Sequence, residues 1–243
     1  MSIIQTKNLI KKFDGVHAVD NLSLAIDKNR ITGIVGPNGS GKTTLINTLS
    51  GVLEIDRGMV IVRGHKLTKI EPHAVPQLGL TRTFQDIHLF NQMSVLDNIL
   101  VVLTERPVFS ALFEKHGDKH LQQAEEILKK VNIWEKRDVN AENLSYGQRK
   151  LLEIGRALAM NVQIYLLDEP FAGLFKEMRK VVSEIILDLK KQGRTIILIE
   201  HDMDLIRDLC DYVFVMDFGQ LLAEGKPDEV LAKEEVIEAY LGA

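Results

Sequence analysis

Residues 31–44 read Ile31-Thr32-Gly33-Ile34-Val35-Gly36-Pro37-Asn38-Gly39-Ser40-Gly41-Lys42-Thr43-Thr44. An apolar run leads into a glycine-rich turn and then into a lysine and a hydroxyl, satisfying G-x-x-x-x-G-K-[ST] at Gly36, Gly41, Lys42 and Thr43. The run before the turn has strand character. The stretch after it, Thr43 to Ser50, carries Leu45, Ile46 and Leu49 at helical spacing. Strand, glycine turn and helix in that order predict a phosphate loop. Glycines let successive backbone N–H groups curl inward around phosphate oxygens, and the helix adds its positive N-terminal dipole. Gly36, Pro37, Asn38, Gly39, Ser40 and Gly41 then form the cradle for ATP, continued by Lys42, Thr43 and Thr44. Lys42 bridges the β- and γ-phosphates and the Thr43 hydroxyl sits on Mg²⁺. A plain glycine-rich turn with a solvent-facing lysine is the duller alternative, and the complete motif in this strand–helix setting argues against it.

A second signal lies at Ile164-Tyr165-Leu166-Leu167-Asp168-Glu169-Pro170, an apolar strand ending in consecutive carboxylates. A buried strand delivers its last residues to the carboxyl edge of a parallel sheet, where ligands of α/β proteins bind. Asp168 is thereby a candidate for Mg²⁺, directly or through water, and Glu169 for polarising an attacking water as general base. Alone, such a strand end is usually a solvated one. Beside a full phosphate loop it completes a two-part site.

Around these motifs, Ile3 to Phe13 and Ala18 to Ile26 read as strands separated by the turn dipeptide Asp14-Gly15. Met59–Arg63 and Leu80–Phe84 follow as strands. From about Ser94 to Met160 the pattern is mainly helical, with Ser94 as N-cap and Asp97 as its acidic partner. Leu121, Ala124, Ile127, Leu128 and Val131 trace one apolar helix face. Strands at 164–167, 195–199 and 212–216 then alternate with helices, Gly193 standing as the stop before the second. Continuous apolar strands alternating with helices predict a mainly parallel sheet covered on both faces. The predicted class is α/β: residues 1–90 and 161–243 form a β subdomain and catalytic core, and about 91–160 an inserted helical subdomain. Residues 104–119, with Pro107 and Gly117, read as irregular.

Composition narrows the function classes. The 243 residues carry 30 basic and 34 acidic side chains, a net charge of −4. So mild a balance argues against a domain that holds nucleic acid by bulk charge. The single Cys210 excludes an intrachain disulfide and fits a reducing compartment. No apolar run reaches the length of a signal peptide or the roughly 20 residues of a membrane span. The expectation is a soluble, cytoplasmic chain that, if it works at a membrane, leaves the spanning to another chain.

Leu144-Ser145-Tyr146-Gly147-Gln148 precedes a Leu- and Ile-rich helix and reads chemically as an anion-binding helix N-terminus with a hydroxyl and a flexible glycine. The order of phosphate loop, Thr83-Phe84-Gln85, this LSYGQ segment, LLDEP and Ile199-Glu200-His201 resembles an ATP-binding-cassette (ABC) ATPase over essentially the whole chain. The resemblance implies a P-loop NTPase with a RecA-like parallel core sheet, an N-terminal antiparallel β subdomain and an inserted helical subdomain. It also implies a head-to-tail dimer sandwiching two ATP molecules. On it, Ser145, Gly147 and the helix beginning near Gln148 complete the γ-phosphate site of the partner subunit. Gln85 reaches Mg²⁺ and the water, His201 holds the γ-phosphate near Glu169, and Phe13 stacks on adenine.

Arg82 to Phe90, Glu200 to Met203 and the tail Val236 to Gly242 further resemble ATP-binding subunits of branched-chain amino acid importers. Cassettes for urea, short amides and lipopolysaccharide export share parts of these segments. The implied partners are transmembrane permease chains, a second cassette and, indirectly, a periplasmic or extracellular substrate-binding protein, with the chain peripheral on the inner face of the membrane. Two readings outside transport stay open: a soluble cassette acting as a mechanical or assembly factor, and a nucleotide-binding scaffold that scarcely hydrolyses. Two positions depart from the family pattern. Tyr146 stands where a glycine is usual, and Phe175-Lys176 follows Gly173-Leu174 where an Asp, Asn or Ser is usual in the loop that crosses the dimer interface.

Overall fold

A computed structural model describes residues 1–83, 87–104 and 118–241 of the chain. Two compact units emerge, one of residues 1–82, 162–169 and 187–243, the other of residues 83–161 and 170–186. The helical insertion read at about 91–160 falls within the second unit, which also takes in flanking chain on both sides. The helices, in chain order, are α1 (Lys42–Leu49), α2 (Val95–Leu103), α3 (Asp118–Lys130), α4 (Tyr146–Ala159), α5 (Lys176–Lys191), α6 (Met203–Leu209), α7 (Pro227–Val230) and α8 (Glu234–Leu241). Among the described residues, none is long and apolar enough to cross a membrane.

In the first unit, β1 (Ser2–Phe13) pairs along one edge with β2 (Val16–Leu22) and β3 (Ala25–Asp27), and along the other with β5 (Arg57–Val62). The single strand expected over 18–26 is thus interrupted at Ser23–Leu24. Asn8 and Asn21 both adopt left-handed backbone there, φ 48° and 50°, and side chains substitute for ladder bonds. The buried Thr6 hydroxyl donates to Leu22 O and accepts from Leu24 N, both at 3.0 Å, while Asn8 N donates to Ser23 Oγ at 2.9 Å. A short β6 (His65–Leu67) completes this sheet by a hairpin with β5. Three residues are too few to show alternation, so β6 leaves no sequence signal.

The core sheet has the order β11-β10-β4-β9-β8-β7. Five strands run parallel: β4 (Ile31–Val35), β7 (Leu80–Arg82), β8 (Ile164–Asp168), β9 (Thr195–Ile199) and β10 (Tyr212–Asp217). Among the described residues, only β11 (Gln220–Gly225) is antiparallel in this sheet. Every residue of β4, β8 and β9 is buried, as continuous apolar runs require. These three strands are neighbours, so the loops leaving their carboxyl ends emerge side by side. Leu45, Ile46 and Leu49 of α1 pack with Ile4, Leu22 and Ile26 of the antiparallel sheet and Ile34, Ile197 and Phe214 of the core sheet. Each such side chain contributes on the order of 2 kcal/mol by leaving water, which fixes the start of α1 against β4.

The second unit packs α2, α3 and α4 through Ile99, Leu100, Ala124, Leu128, Leu151 and Leu152, all buried. Ser94 caps α2 by accepting from Asp97 N at 3.0 Å, as read from the sequence. Asn98 carries no motif signal yet is fully buried. Its amide donates to Phe90 O and Ser94 O and accepts from Phe90 N, stapling the preceding loop to α2. From α4, Arg149 donates to Asn91 Oδ1 at 3.0 Å and the Arg156 guanidinium lies 4.8 Å from the Phe90 ring centroid.

Candidate active site

The loop between β4 and α1 has the backbone that the motif demands. Gly36 has φ 148°, and a Cβ there would stand 2.1 Å from Met216 O; Gly41 has φ 98°, and a Cβ there would stand 2.2 Å from Ala18 O. No L side chain fits either position. Gly41 caps α1 without a side-chain bond, and the first turn holds no acidic residue, so the helix N-terminus is open to an anion. Lys42 is buried. Its Nζ donates to Gly36 O and Pro37 O at 2.8 Å and to Ser40 Oγ at 3.3 Å, folding the ammonium into its own loop. Burial pushes Lys42 below the ordinary lysine value, and the nearby Glu169 and Asp168 carboxylates oppose that shift. Asn38, Gly39 and the Thr43 side chain face outward, and Thr44 is half-buried with its carbonyl bonded by the Thr48 hydroxyl.

β8 delivers Asp168, 1% exposed, to the same edge. Its Oδ2 accepts from Arg82 at 2.9 Å in an ion pair that is buried on both sides. The next residue, Glu169, takes φ 48°, a conformation that costs roughly 1–3 kcal/mol for a non-glycine residue and persists where its surroundings hold it. Here Glu169 N donates to Ile199 O at 3.0 Å, and the turned backbone sends the carboxylate toward β9. Glu169 Oε1 lies 2.8 Å from His201 Nε2. His201 is half-exposed and Glu169 mostly buried, so the pair is one wall of an open edge. A phosphate-loop lysine, a buried carboxylate and a carboxylate–imidazole pair therefore converge at one sheet edge. Among the described residues, no three His, Cys, Asp or Glu side chains form a metal cage.

Phe13 sits at the tip of the β1–β2 hairpin, opposite Val16. It is 44% exposed, with Lys11 Nζ 5.5 Å from its ring centroid. It is an exposed ring and not a core phenylalanine, and its hairpin carries Ala18, whose carbonyl abuts Gly41. Gln85 lies outside the described residues. Sequence reasoning missed α8: Glu238 and Ala239 line a cavity of about 440 Å³ together with Pro37, Asn38, Gly39 and Phe218. The apolar spacing of α8 was the available signal.

The LSYGQ segment belongs to the second unit. The helix starts at Tyr146, two residues before the expected position near Gln148, because Ser145 is its N-cap in a complete capping box. Ser145 N donates to Gln148 Oε1 at 3.1 Å and Gln148 N to Ser145 Oγ at 3.4 Å. Gly147 lies close under Met178, and a Cβ there would stand 2.4 Å from Met178 Sδ, so that side chain would have to shift. Tyr146 lies against Gly173, whose Cβ would stand 2.6 Å from Tyr146 Cε1. The first departure from the family pattern, Tyr146, thus lies against the glycine two residues before the second, Phe175. Phe175 is 77% exposed, an apolar ring held out in solvent.

A family model described as ABC transporter matches residues 19–172, and one described as branched-chain amino acid ATP-binding cassette transporter matches residues 220–243. A protein of Archaeoglobus fulgidus named probable branched-chain amino acid transport ATP-binding protein LivG is 37% identical, the match covering 100% of this chain and 96% of that one. The Escherichia coli K12 protein named high-affinity branched-chain amino acid transport ATP-binding protein LivG is 34% identical over 99% of this chain and 98% of its own length. Among solved structures, a nucleotide-free ATP-binding cassette from an ABC transporter aligns over all of both chains with a TM-score of 0.87 at 35% identity. The ADP conformation of another cassette aligns over all of both chains at 0.86 and 36%. The chain belongs to the ABC transporter family, as an ATP-binding cassette with ATPase activity.

Proposed function

We propose that this cassette drives an importer of branched-chain or related amino acids, in head-to-tail pairing with a second cassette and bound to permease chains at the cytoplasmic face of the membrane. The names of its full-length relatives and the match over 220–243 support the substrate class. The observation that carries the chemistry is the convergence of Lys42, Asp168 and the Glu169–His201 pair at the carboxyl ends of three adjacent strands.

Incoming ATP takes the place of the loop carbonyls around Lys42, whose ammonium then meets phosphate oxygens. The Gly36–Gly41 backbone and the α1 N-terminus hold the β-phosphate, and Phe13 stacks on the adenine. The Thr43 hydroxyl and the Asp168 carboxylate are hard oxygen donors and fit Mg²⁺ that arrives with the nucleotide, since such ions need few protein ligands. Gln85 would join that shell, and Mg²⁺ bound there would neutralise charge developing on the phosphates. Glu169 orients or deprotonates the attacking water, and His201 holds both Glu169 and the γ-phosphate. Ser145, Gly147 and Gln148 serve the nucleotide of the facing subunit. ATP favours the closed pair and hydrolysis releases it, a ligand-driven population shift passed to the permease. A substrate-binding protein outside the membrane supplies the cargo.

Purification from the native host with the membrane chains attached tests the assembly, and ATP turnover stimulated by a branched-chain amino acid and its binding protein tests the cargo. Recovery without permease chains, or stimulation only by urea or a short amide, would overturn the importer or the substrate reading respectively.

A further inference from the structure

Arg82 ends β7, beside Leu166 of β8, and belongs to none of the phosphate, metal or water contacts assigned above. Its side chain is 5% exposed. One terminal nitrogen donates to Asn47 Oδ1 at 2.6 Å and Ser50 Oγ at 2.9 Å, and the other to Asp168 Oδ2 at 2.9 Å. Asn47 lies one turn along α1 from Thr43, and Ser50 closes that helix. A single planar guanidinium thus ties the helix that carries the Thr43 hydroxyl to the strand end that carries the Asp168 carboxylate. Arginine suits this task because its fork serves acceptors in fixed directions, which an ammonium on a flexible stem does not.

We propose that Arg82 is a positioning residue for the metal-facing carboxylate. By holding Asp168 in one orientation relative to Thr43, it sets how much Mg²⁺ strengthens ATP binding. The inference rests on the reading of Asp168 as a Mg²⁺ residue. Two features support it beyond packing. The ion pair commits one carboxylate oxygen to Arg82 at 2.9 Å, which fixes the orientation in which Asp168 would be offered to a divalent ion. The guanidinium charge also offsets that of Asp168 where Glu169 adds a second carboxylate, which disfavours capture of a divalent ion before the nucleotide arrives.

The test measures ATP affinity by calorimetry on the full chain, once with excess Mg²⁺ and once with EDTA, for the wild type, Arg82→Met, Arg82→Lys and Asp168→Asn. Arg82→Met should cut the Mg²⁺-dependent gain in affinity tenfold or more while leaving the affinity in EDTA within twofold. Arg82→Lys reaches Asp168 but cannot serve Asn47 and Ser50 together, and should recover part of the gain. An equal fall with and without Mg²⁺, or no change in either, overturns the inference. If Arg82→Met does not fold, Arg82→Lys and Asn47→Ala carry the test. Each should lower the gain by a smaller factor, and an unchanged gain in both overturns the inference. Loss of the gain in Asp168→Asn with none in the Arg82 variants removes the inference alone. An unchanged gain in Asp168→Asn removes the reading of Asp168 and the inference with it.

Discussion

Glu169 Oε1 stands 2.8 Å from His201 Nε2, and the contact exists because Glu169 accepts a left-handed backbone at the end of β8. With the strands registered Asp168 to Ile199, that turn sends the carboxylate sideways to the neighbouring loop. Asp168 stays at the strand end, paired with Arg82. Two consecutive carboxylates thereby acquire different partners.

Glu169→Gln should retain ATP binding within a few-fold and lose turnover by roughly 10²–10⁴, the usual worth of a positioned base. His201→Ala should fall in the same range, and the double variant should be little worse than either single one because the two act as a unit. Steady-state turnover and nucleotide binding measured side by side decide this. Unchanged turnover in Glu169→Gln would remove it as the base.

Gly173 combines φ 70° with a Cβ position 2.6 Å from Tyr146 Cε1. Gly173→Ala should destabilise by about 2–4 kcal/mol, from backbone strain and steric overlap together. Tyr146→Ala in the same chain should restore the part due to overlap and leave only the strain. Urea denaturation of the four species measures the coupling; additive effects would show that the ring moves aside freely.

Thr6→Val removes the hydroxyl bonded to Leu22 O and Leu24 N and leaves two buried backbone groups without that partner. A loss of about 1–3 kcal/mol is expected, read as a lower urea midpoint at unchanged slope. A stability within 0.5 kcal/mol of wild type, about the scatter of a neutral surface change, would show that the Ser23–Leu24 interruption does not depend on Thr6.

Burial pushes the Cys210 thiol up to about 12 from the ordinary 9.0, with Asp211 adding to the shift. An acid whose folded value is raised contributes stability that is complete below the unfolded value. That stability is lost as pH rises toward the folded value, here between about 9 and about 12. The slope is at most about 1.4 kcal/mol per pH unit. Melting temperature from pH 8.5 to 10.5 should fall less steeply in Cys210→Ala than in the wild type, and iodoacetamide at pH 8 should leave the native thiol unlabelled. Prompt labelling of the folded chain would contradict this burial.

The phosphate loop was readable because its chemistry is local. Gly36 and Gly41 must take positive φ, Lys42 must follow, and all lie within one turn of chain. The parallel core was readable because β4, β8 and β9 are mostly apolar runs, buried at every position. The break in the strand after β2 was not, since Ser23-Leu24 look like ordinary strand residues until Thr6 of a distant strand supplies their hydrogen bonds. Asn98 was equally silent, because a buried amide shows its purpose only through the carbonyls around it.

From its own residues the sequence determined the cradle, the strand-end carboxylates and, through motif order, the family. Tertiary structure decided the rest. It placed His201 on Glu169, Arg82 between α1 and Asp168, and Tyr146 against Gly173. Each of these joins residues 27 or more apart in sequence, and a side chain's partner at that separation is set by strand order and helix packing, not by any local preference of the chain.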